Sequence, residues 1–174
     1  MSTSVEAIKE LRNLTSASFA DCKKALHETN NDVPKAVDFL RKRGLEVAAK
    51  KGDRAAKEGR VEAYIHHGSK IGVLLEVDCE TDFVAKNPEF MQFTKDLAMQ
   101  IAAFNPAYIK REDVPESALA TVEDKEVFYK EQCLLEQVCV KDSSLLVKDY
   151  LGGLITKMNE KIVVRRFVRY QIGG

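Results

Sequence analysis

The spacing of apolar residues changes near residue 60, and this change constrains the fold more than any other feature of the sequence. Before it, apolar side chains such as Val5, Ile8 and Leu11 recur at intervals of three or four, as on one face of a helix. In residues 61–65 they alternate with polar side chains, as in a half-buried strand. The chain is therefore predicted to be an α+β protein with a helical part first and a part containing a sheet second.

Residues 1–44 are predicted to form a compact bundle of three short helices. Ser18 has the chemistry of an N-cap for the second helix, and Asp32 has that of an N-cap for the third. Gly44 is expected to end the third helix, because glycine is the commonest residue just after a helix C-terminus. Residues 45–60 are rich in charge and poor in apolar side chains, so we interpret them as a solvated linker.

Residues 61–174 are predicted to form an α+β core domain, in which helices pack on a small antiparallel sheet. Strand-like segments at 61–65 and 71–77 flank a turn at residues 67–70, and a short turn with glycine favours a hairpin. Helical spacing follows, and a segment rich in Val, Phe, Tyr and Arg at 162–172 is predicted to be a closing strand.

The overall charge and hydropathy argue against two classes of protein. Lys and Arg number 27 and Asp and Glu also number 27, so a polyanion-binding protein is not indicated, although the short basic stretch in residues 45–60 leaves a nucleic-acid contact open. No apolar run approaches the roughly 20 residues that span a bilayer. Without the pattern of a signal peptide, a cytoplasmic location is the default expectation.

The sequence contains no recognisable catalytic or metal site. The 4 cysteines form no CxxC pair, which favours free thiols over a metal centre. His66 and His67 are neighbours on a predicted strand, so their side chains point to opposite faces. No glycine-rich phosphate loop and no activated nucleophile is present. We therefore expect no catalytic residue, no metal and no cofactor; a cysteine hydrolase is a remaining alternative.

The segment from Thr81 to Val84 is the candidate for recognition, because it lies between a buried strand and a capped helix. Phe83 beside the anionic Asp82 is the combination expected of an interface anchor. The alternative is that Phe83 and Val84 enter the core while Asp82 caps a turn. The residues alone leave both interpretations open and predict a two-domain binding protein with an unspecified partner.

Three segments of the chain resemble the elongation factor Ts family, in the family's order. They are residues 11–26, 76–86 and 159–167. Asp78 stands where the family often has Asn, and Met158 and Asn159 replace a commoner small residue before the closing strand. Neither departure touches the Thr-Asp-Phe-Val segment.

The resemblance implies a function and a set of partner-binding residues. It implies an exchange factor that binds GDP-bound elongation factor Tu, displaces Mg²⁺ and promotes GDP release so that GTP can bind. The bundle would resemble a ubiquitin-associated fold, and the core domain would pair two chains as a homodimer. By position in the matching segments, the implied contact residues are Arg12, Phe19, Ala20 and Lys23 in the bundle, Thr81, Asp82, Phe83 and Val84 in the loop, and His67 at the hairpin tip.

Three rival functions make different demands on the chain. A ubiquitin-binding adaptor would use residues 1–44 alone and leave the Thr-Asp-Phe-Val segment idle. An RNA-binding protein would need a basic face and a strong salt dependence. A small hydrolase would need a catalytic constellation that the sequence does not display. The resemblance thus predicts a protein partner, with no direct contact to nucleic acid or membrane.

Overall fold

The structure is a computed structural model that describes residues 4–15, 17–50, 52 and 54–173. It confirms the predicted α+β class, with helices first and an antiparallel sheet packed with helices after them. Single 3-10 turns occur at Arg111–Asp113 and Leu134–Glu136. The described elements, in chain order, are α1 (Val5–Thr15), α2 (Phe19–Glu28), α3 (Val33–Lys50), β1 (Glu58–Ile65), β2 (Ile71–Cys79), α4 (Asp82–Ala85), α5 (Pro88–Phe104), α6 (Glu116–Leu119), α7 (Lys125–Gln132), α8 (Val147–Met158) and β3 (Ile162–Gln171).

The three N-terminal helices begin where local capping chemistry predicts. The Ser18 hydroxyl accepts a hydrogen bond from the backbone N–H of Asp21 at 3.1 Å, and so caps α2. Asp32 Oδ1 accepts from the backbone N–H of Lys35 at 3.0 Å at the start of α3. A core of small and aliphatic side chains joins the helices; its fully or nearly fully buried members include Ile8, Leu11, Cys22, Ala25, Leu26, Ala36 and Leu40.

The prediction that Gly44 ends the third helix is wrong. α3 continues through Gly44 to Lys50, so residues 45–50 of the predicted linker are helical. Gly44 lies where α3 crosses α8: a Cβ atom on it would come within 2.9 Å of the carbonyl oxygen of Gly152. The glycine therefore serves a close helix–helix approach instead of a C-cap.

The predicted start of the first strand at residue 61 is also wrong, because β1 begins at Glu58, within the segment interpreted as a linker. Charge and low hydropathy do not distinguish a linker from the exposed end of a helix or an edge strand. Residues 51 and 53 lie outside the described part of the chain. The division into a bundle, a linker and a core domain stays a prediction.

The sheet has the order β1-β2-β3, with antiparallel pairing at both contacts. The predicted hairpin is confirmed: Ile65 pairs with Gly72, and the backbone N–H of His66 donates to Ile71 O at 2.9 Å across the turn. β2 and β3 continue their pairing to Cys79 and Ile162, with a bulge after Glu76. This last pair brings the residues that follow β2 next to the residues that precede β3.

One face of the sheet packs against α5 and α8. Val73, Leu75 and Val77 of β2 join Phe90 and Phe93 of α5 in the main core, and all five side chains are almost fully buried. The buried residue of β1 is the charged Glu62. Its Oε2 accepts hydrogen bonds from Thr94 Oγ1 at 3.1 Å and from Arg60 Nε at 2.7 Å.

The opposite face of the sheet, which we call the outer sheet face, is exposed and mostly apolar, although the row of Val61 also holds the ion pair between Glu76 and Arg166. Direct pairing places Ala63, Leu74 and Val168 in one row, and Ile65 and Tyr170 at either side of Gly72 in the next. Leu74 on the central strand is 49% exposed and Tyr170 is 69% exposed. Sheets with one solvated face usually carry polar side chains there. The outer sheet face is defined by Val61, Ala63, Ile65, Leu74, Val168 and Tyr170.

Candidate partner-binding site

The segment after β2 forms the single helical turn α4, and Thr81 caps it. Thr81 has extended backbone angles (φ −129°, ψ 155°), and its hydroxyl oxygen accepts from the backbone N–H of Val84 at 3.4 Å. The alternative in which Asp82 caps a turn is therefore wrong. A hydroxyl N-cap after a buried strand fixes where the turn starts, and so fixes the direction of the next side chains.

Phe83 and Val84 point in different directions from this turn. Val84 is 8% exposed and belongs to the main core, whereas Phe83 is 82% exposed. The alternative in which both side chains enter the core holds for Val84 and fails for Phe83. Burying a phenylalanine side chain is favourable by about 1.5–3 kcal/mol, so Phe83 is an anchor that a partner surface can use.

Asp82 places a negative charge next to this aromatic ring. Its Oδ2 accepts from Lys86 Nζ at 2.7 Å, and this hydrogen bond lowers the pKa of Asp82. Asp82 is therefore a carboxylate at neutral pH. Both members of the pair are largely exposed, so the contact orients Asp82 but adds little to the stability of the fold.

A second carboxylate holds the backbone behind Thr81. Glu160, in the turn before β3, accepts hydrogen bonds from the N–H of Glu80 at 3.1 Å, from the N–H of Thr81 at 3.0 Å and from the hydroxyl of Thr81 at 2.6 Å. The sequence alone did not predict a role for Glu160. Its position just before a strand was visible, but Thr81 is 79 residues away along the chain, and only the pairing of β2 with β3 brings them together.

The cysteine thiols of the chain are poor nucleophiles. Cys79 donates to the carbonyl oxygen of Thr81 at 3.1 Å, and burial raises the pKa of Cys79 to about 11. Burial likewise raises the pKa of Cys133 and of Cys139 to about 11 each and raises the pKa of Cys22. All four cysteines are free. A protonated thiol does not attack substrates, which disfavours a cysteine hydrolase.

Among the residues that the structure describes, no group of three or more His, Cys, Asp or Glu side chains is arranged to hold a metal ion. In the same part of the chain, no helix has the length and apolar content needed to cross a bilayer. The arrangement around α4 thus offers an exposed hydrophobic anchor and a fixed negative charge on a supported backbone. Those are the elements of a contact surface.

The other predicted contact residues lie elsewhere in the fold. Arg12 on α1 and Phe19, Ala20 and Lys23 on α2 are all exposed. Phe19 is 52% exposed, so most of its ring lies outside the core of the bundle. His67 is exposed in the turn between β1 and β2. The predicted residues therefore occupy three parts of the chain: the bundle, the turn α4 and the hairpin tip.

Comparison with known proteins gives consistent matches. A sequence model described as elongation factor Ts matches residues 3–127. The chain is 51% identical to elongation factor Ts of Thermoanaerobacter sp. (strain X514), over 98% of this chain and 95% of the relative. It is 50% identical to that of Caldanaerobacter subterraneus subsp. tengcongensis, over 98% and 96%. It is 46% identical to that of Geobacter sulfurreducens, over 99% and 91%.

Proposed function

The chain belongs to the elongation factor Ts family and is thus a translation elongation factor, and on that premise we propose that it is the guanine nucleotide exchange factor of elongation factor Tu. It binds the GDP-bound partner, displaces the Mg²⁺ that neutralises the nucleotide phosphates, and promotes GDP release so that GTP can bind. The single observation that carries this proposal is Phe83, 82% exposed on a turn whose neighbouring Val84 is buried.

Phe83 supplies the hydrophobic contact of the exchange loop. Because Val84 is packed in the core and Thr81 both caps α4 and donates to Glu160, the ring projects from a backbone that is fixed before the partner arrives. Little ordering entropy is then lost on binding. The ring enters the partner beside its Mg²⁺ site and competes with the nucleotide-bound arrangement there.

Asp82 supplies the electrostatic part of the same contact. A carboxylate brought next to bound phosphates repels them, and it also attracts the Mg²⁺ that holds them. A factor that binds the nucleotide-free partner more tightly than the GDP-bound one must lower the partner's affinity for GDP by the same ratio. Exchange is thus a matter of differential binding, and no covalent chemistry and no cofactor of this chain is involved.

The bundle provides docking at a distance from the exchange loop. Arg12 on α1 and Lys23 on α2 are exposed cations, Phe19 on α2 offers a half-exposed ring, and Ala20 leaves room for close approach. Aromatic residues and arginine are enriched in protein interfaces. His67 at the hairpin tip makes a further contact with the same partner. The partner is a protein, with no direct contact to nucleic acid or membrane, and the site of action is the cytoplasm, where translation proceeds.

The exchange function is tested by the release of fluorescent GDP from elongation factor Tu in a stopped-flow instrument. We expect the wild-type chain to accelerate release in a concentration-dependent way, and Phe83→Ala to lose most of this acceleration while its far-UV circular dichroism is unchanged. Phe104→Ala is the matched control, since Phe104 is also an exposed phenylalanine at the end of a helix. No acceleration by folded wild-type protein would refute the proposed function. If Phe83→Ala accelerated GDP release as much as the control Phe104→Ala does, the role of Phe83 would be refuted.

We further propose that the chain forms a homodimer through the outer sheet face. Apart from the ion pair between Glu76 and Arg166, that face is apolar where a solvated sheet would be polar, and its exposed residues come from all three strands. Two sheets pack well face to face, and a two-fold axis lets the same patch cover itself. A second copy therefore accounts for the exposed apolar side chains without any further partner.

The dimer is tested by sedimentation velocity of the purified chain over a range of concentrations. Leu74→Lys places a charge at the centre of the outer sheet face, and we expect it to shift the protein to monomer. Val127→Lys is the control, because Val127 on α7 is 47% exposed, close to the 49% of Leu74, but lies off the sheet. A wild-type chain that is monomeric at all concentrations, or a Leu74→Lys variant that remains dimeric, would refute this interface.

A further inference from the structure

We propose that Glu160 is a positioning residue for nucleotide exchange: its carboxylate fixes the backbone at Glu80 and Thr81, and thereby holds Phe83 in the orientation that meets the partner. This inference rests on the exchange function proposed above. Glu160 does not need to touch the partner. It acts through Thr81, the N-cap of the turn that carries Phe83.

Glu160 binds the loop with both carboxylate oxygens. Oε2 accepts from the N–H groups of Glu80 and Thr81 at 3.1 and 3.0 Å, and Oε1 accepts from the Thr81 hydroxyl at 2.6 Å. Hydrogen bonds to an ionised acceptor are shorter and stronger than bonds between neutral groups. Three of them converge on one side chain, so the two backbone units cannot rotate without breaking several bonds together.

The bond to the Thr81 hydroxyl also determines how that hydroxyl caps α4. Its proton is directed towards Glu160 Oε1, which leaves its lone pairs for the N–H of Val84 at 3.4 Å. A hydroxyl has one proton and two acceptor sites, so donation in one direction orients acceptance in another. Glu160 thus supports the cap that sets where Phe83 points.

A reciprocal bond ties the two segments from the other side. Glu80 Oε1 accepts from the backbone N–H of Lys161 at 2.6 Å, while Glu160 accepts from the backbone N–H of Glu80. Each carboxylate therefore binds the backbone of the opposite segment, directly beyond the last strand pair, Cys79 with Ile162. We call these contacts of Glu80 and Glu160 the carboxylate clamp.

The clamp lies outside the elements that hold the domain together. The β2–β3 ladder already closes at Cys79 and Ile162, and Val84 is anchored by the core. The bonds of Glu160 to the loop all reach residues past the ladder. Their loss frees the start of α4 more than it weakens the sheet. Such loosening lowers the rate of the step that needs Phe83 in place, because the loop must then be ordered on binding.

The test compares Glu160→Ala with Glu160→Gln in the GDP-release assay. Glutamine keeps a carbonyl oxygen for the two N–H groups, and its amide can donate to the Thr81 hydroxyl, so it restores most of the clamp. We expect Glu160→Ala to lower the maximal release rate by about ten- to hundredfold, the range that corresponds to the net loss of one hydrogen bond to a charged group. The half-saturating concentration should change by less than about threefold, since the bundle supplies docking. Glu160→Gln should return the maximal rate to near that of the wild type.

A double-mutant cycle with Phe83→Ala separates positioning from a merely structural effect. If Glu160 acts through Phe83, adding Glu160→Ala to the Phe83→Ala variant changes the release rate little further. Multiplicative losses in the double variant would overturn the inference. So would a Glu160→Ala variant that raises the half-saturating concentration and leaves the maximal rate unchanged.

Amide hydrogen exchange of the isolated protein provides a readout that does not depend on the partner. In Glu160→Ala the amides of Glu80, Thr81 and Val84 should exchange faster, while those of β2 keep their protection. If wild-type protein accelerates GDP release and Phe83→Ala does not, but Glu160→Ala matches the wild type, only the inference about Glu160 is refuted. If wild-type protein fails to accelerate release, the proposed function fails, and the role of Glu160 in exchange fails with it.

Discussion

Two alanine substitutions at helical glycines should have different effects on stability, although the chemical change is the same: one should stabilise the protein and the other should not. Gly44 lies inside α3 at its crossing with α8, and Gly153 lies inside α8 on an exposed side. In an open helix, Gly→Ala is favourable by about 1 kcal/mol, because alanine loses less conformational entropy and is the best helix former. The surroundings of each Cβ decide whether this gain is kept.

The local geometry sets the expected magnitudes. A Cβ on Gly44 would lie 2.9 Å from the carbonyl oxygen of Gly152 and 3.0 Å from Thr156 Oγ1, both shorter than ordinary contacts. Relieving the first contact requires the backbones of two helices to separate, and overpacking of this kind costs about 1–3 kcal/mol. A Cβ on Gly153 meets nothing within 4 Å, so the full gain of about 1 kcal/mol remains. The two variants should differ by about 1–3 kcal/mol, with Gly44→Ala the less stable.

The assay is equilibrium unfolding in urea and by heat, followed by far-UV circular dichroism. For a chain of this size, 1 kcal/mol corresponds to a shift in Tm of about 2–4 °C. We expect Gly153→Ala to raise Tm by about this amount and Gly44→Ala to leave it unchanged or lower it. Equal increases for both variants would show that α3 and α8 do not approach closely at Gly44. Close helix packing would then be refuted as the reason that a glycine lies in the middle of α3.

The polar contacts of the core domain support two further predictions. Thr94→Val removes one of the donors to the buried carboxylate of Glu62, so the unfolding free energy in urea at pH 7 should fall by about 1–3 kcal/mol; no change would show that Arg60 alone satisfies Glu62. A hydrogen bond from Arg111 lowers the pKa of Glu136 in the folded protein. The ionised Glu136 side chain therefore stabilises the fold at pH values above the pKa of an unfolded glutamate, about 4.3, and this contribution is lost as pH falls through the lower pKa of the folded state. When pH is lowered from 7 to about 3, the unfolding free energy of Glu136→Gln should therefore fall by less than that of the wild type, and equal decreases would contradict this linkage.

Local signals in the sequence predicted the local parts of the structure. Ser18 and Asp32 start their helices where capping chemistry places them, and the hairpin turn at residues 67–70 joins two paired strands. In each case the decisive interaction spans only a few residues. Such interactions are determined by the identity of near neighbours, which the sequence displays directly.

The features that the sequence did not predict share a different cause, because they depend on contacts between residues far apart in the chain. Gly44 has the sequence signal of a helix end, but α8 approaches it from more than a hundred residues away. The alternation in β1 predicts a strand but does not say that Glu62 is buried while Val61 is exposed, since that depends on Thr94 across the core. The contact of Glu160 with Thr81 is likewise invisible until β2 and β3 are paired.

The stiffness of the loop around Phe83 bears directly on how an exchange factor discriminates between partner states. A factor accelerates GDP release only to the extent that it binds the nucleotide-free partner better than the GDP-bound one. A flexible loop could fold Phe83 away and bind both states alike, whereas a loop held by Glu160 and the buried Val84 keeps the ring where the GDP-bound state must reject it. Loosening the clamp should then narrow the ratio of the two affinities, mainly by weakening binding to the nucleotide-free partner, because the loop must then be ordered on binding. Titration of GDP against the preformed complex measures this ratio, and an unchanged ratio in Glu160→Ala would mean that stiffness of the loop is not what gives the factor its preference.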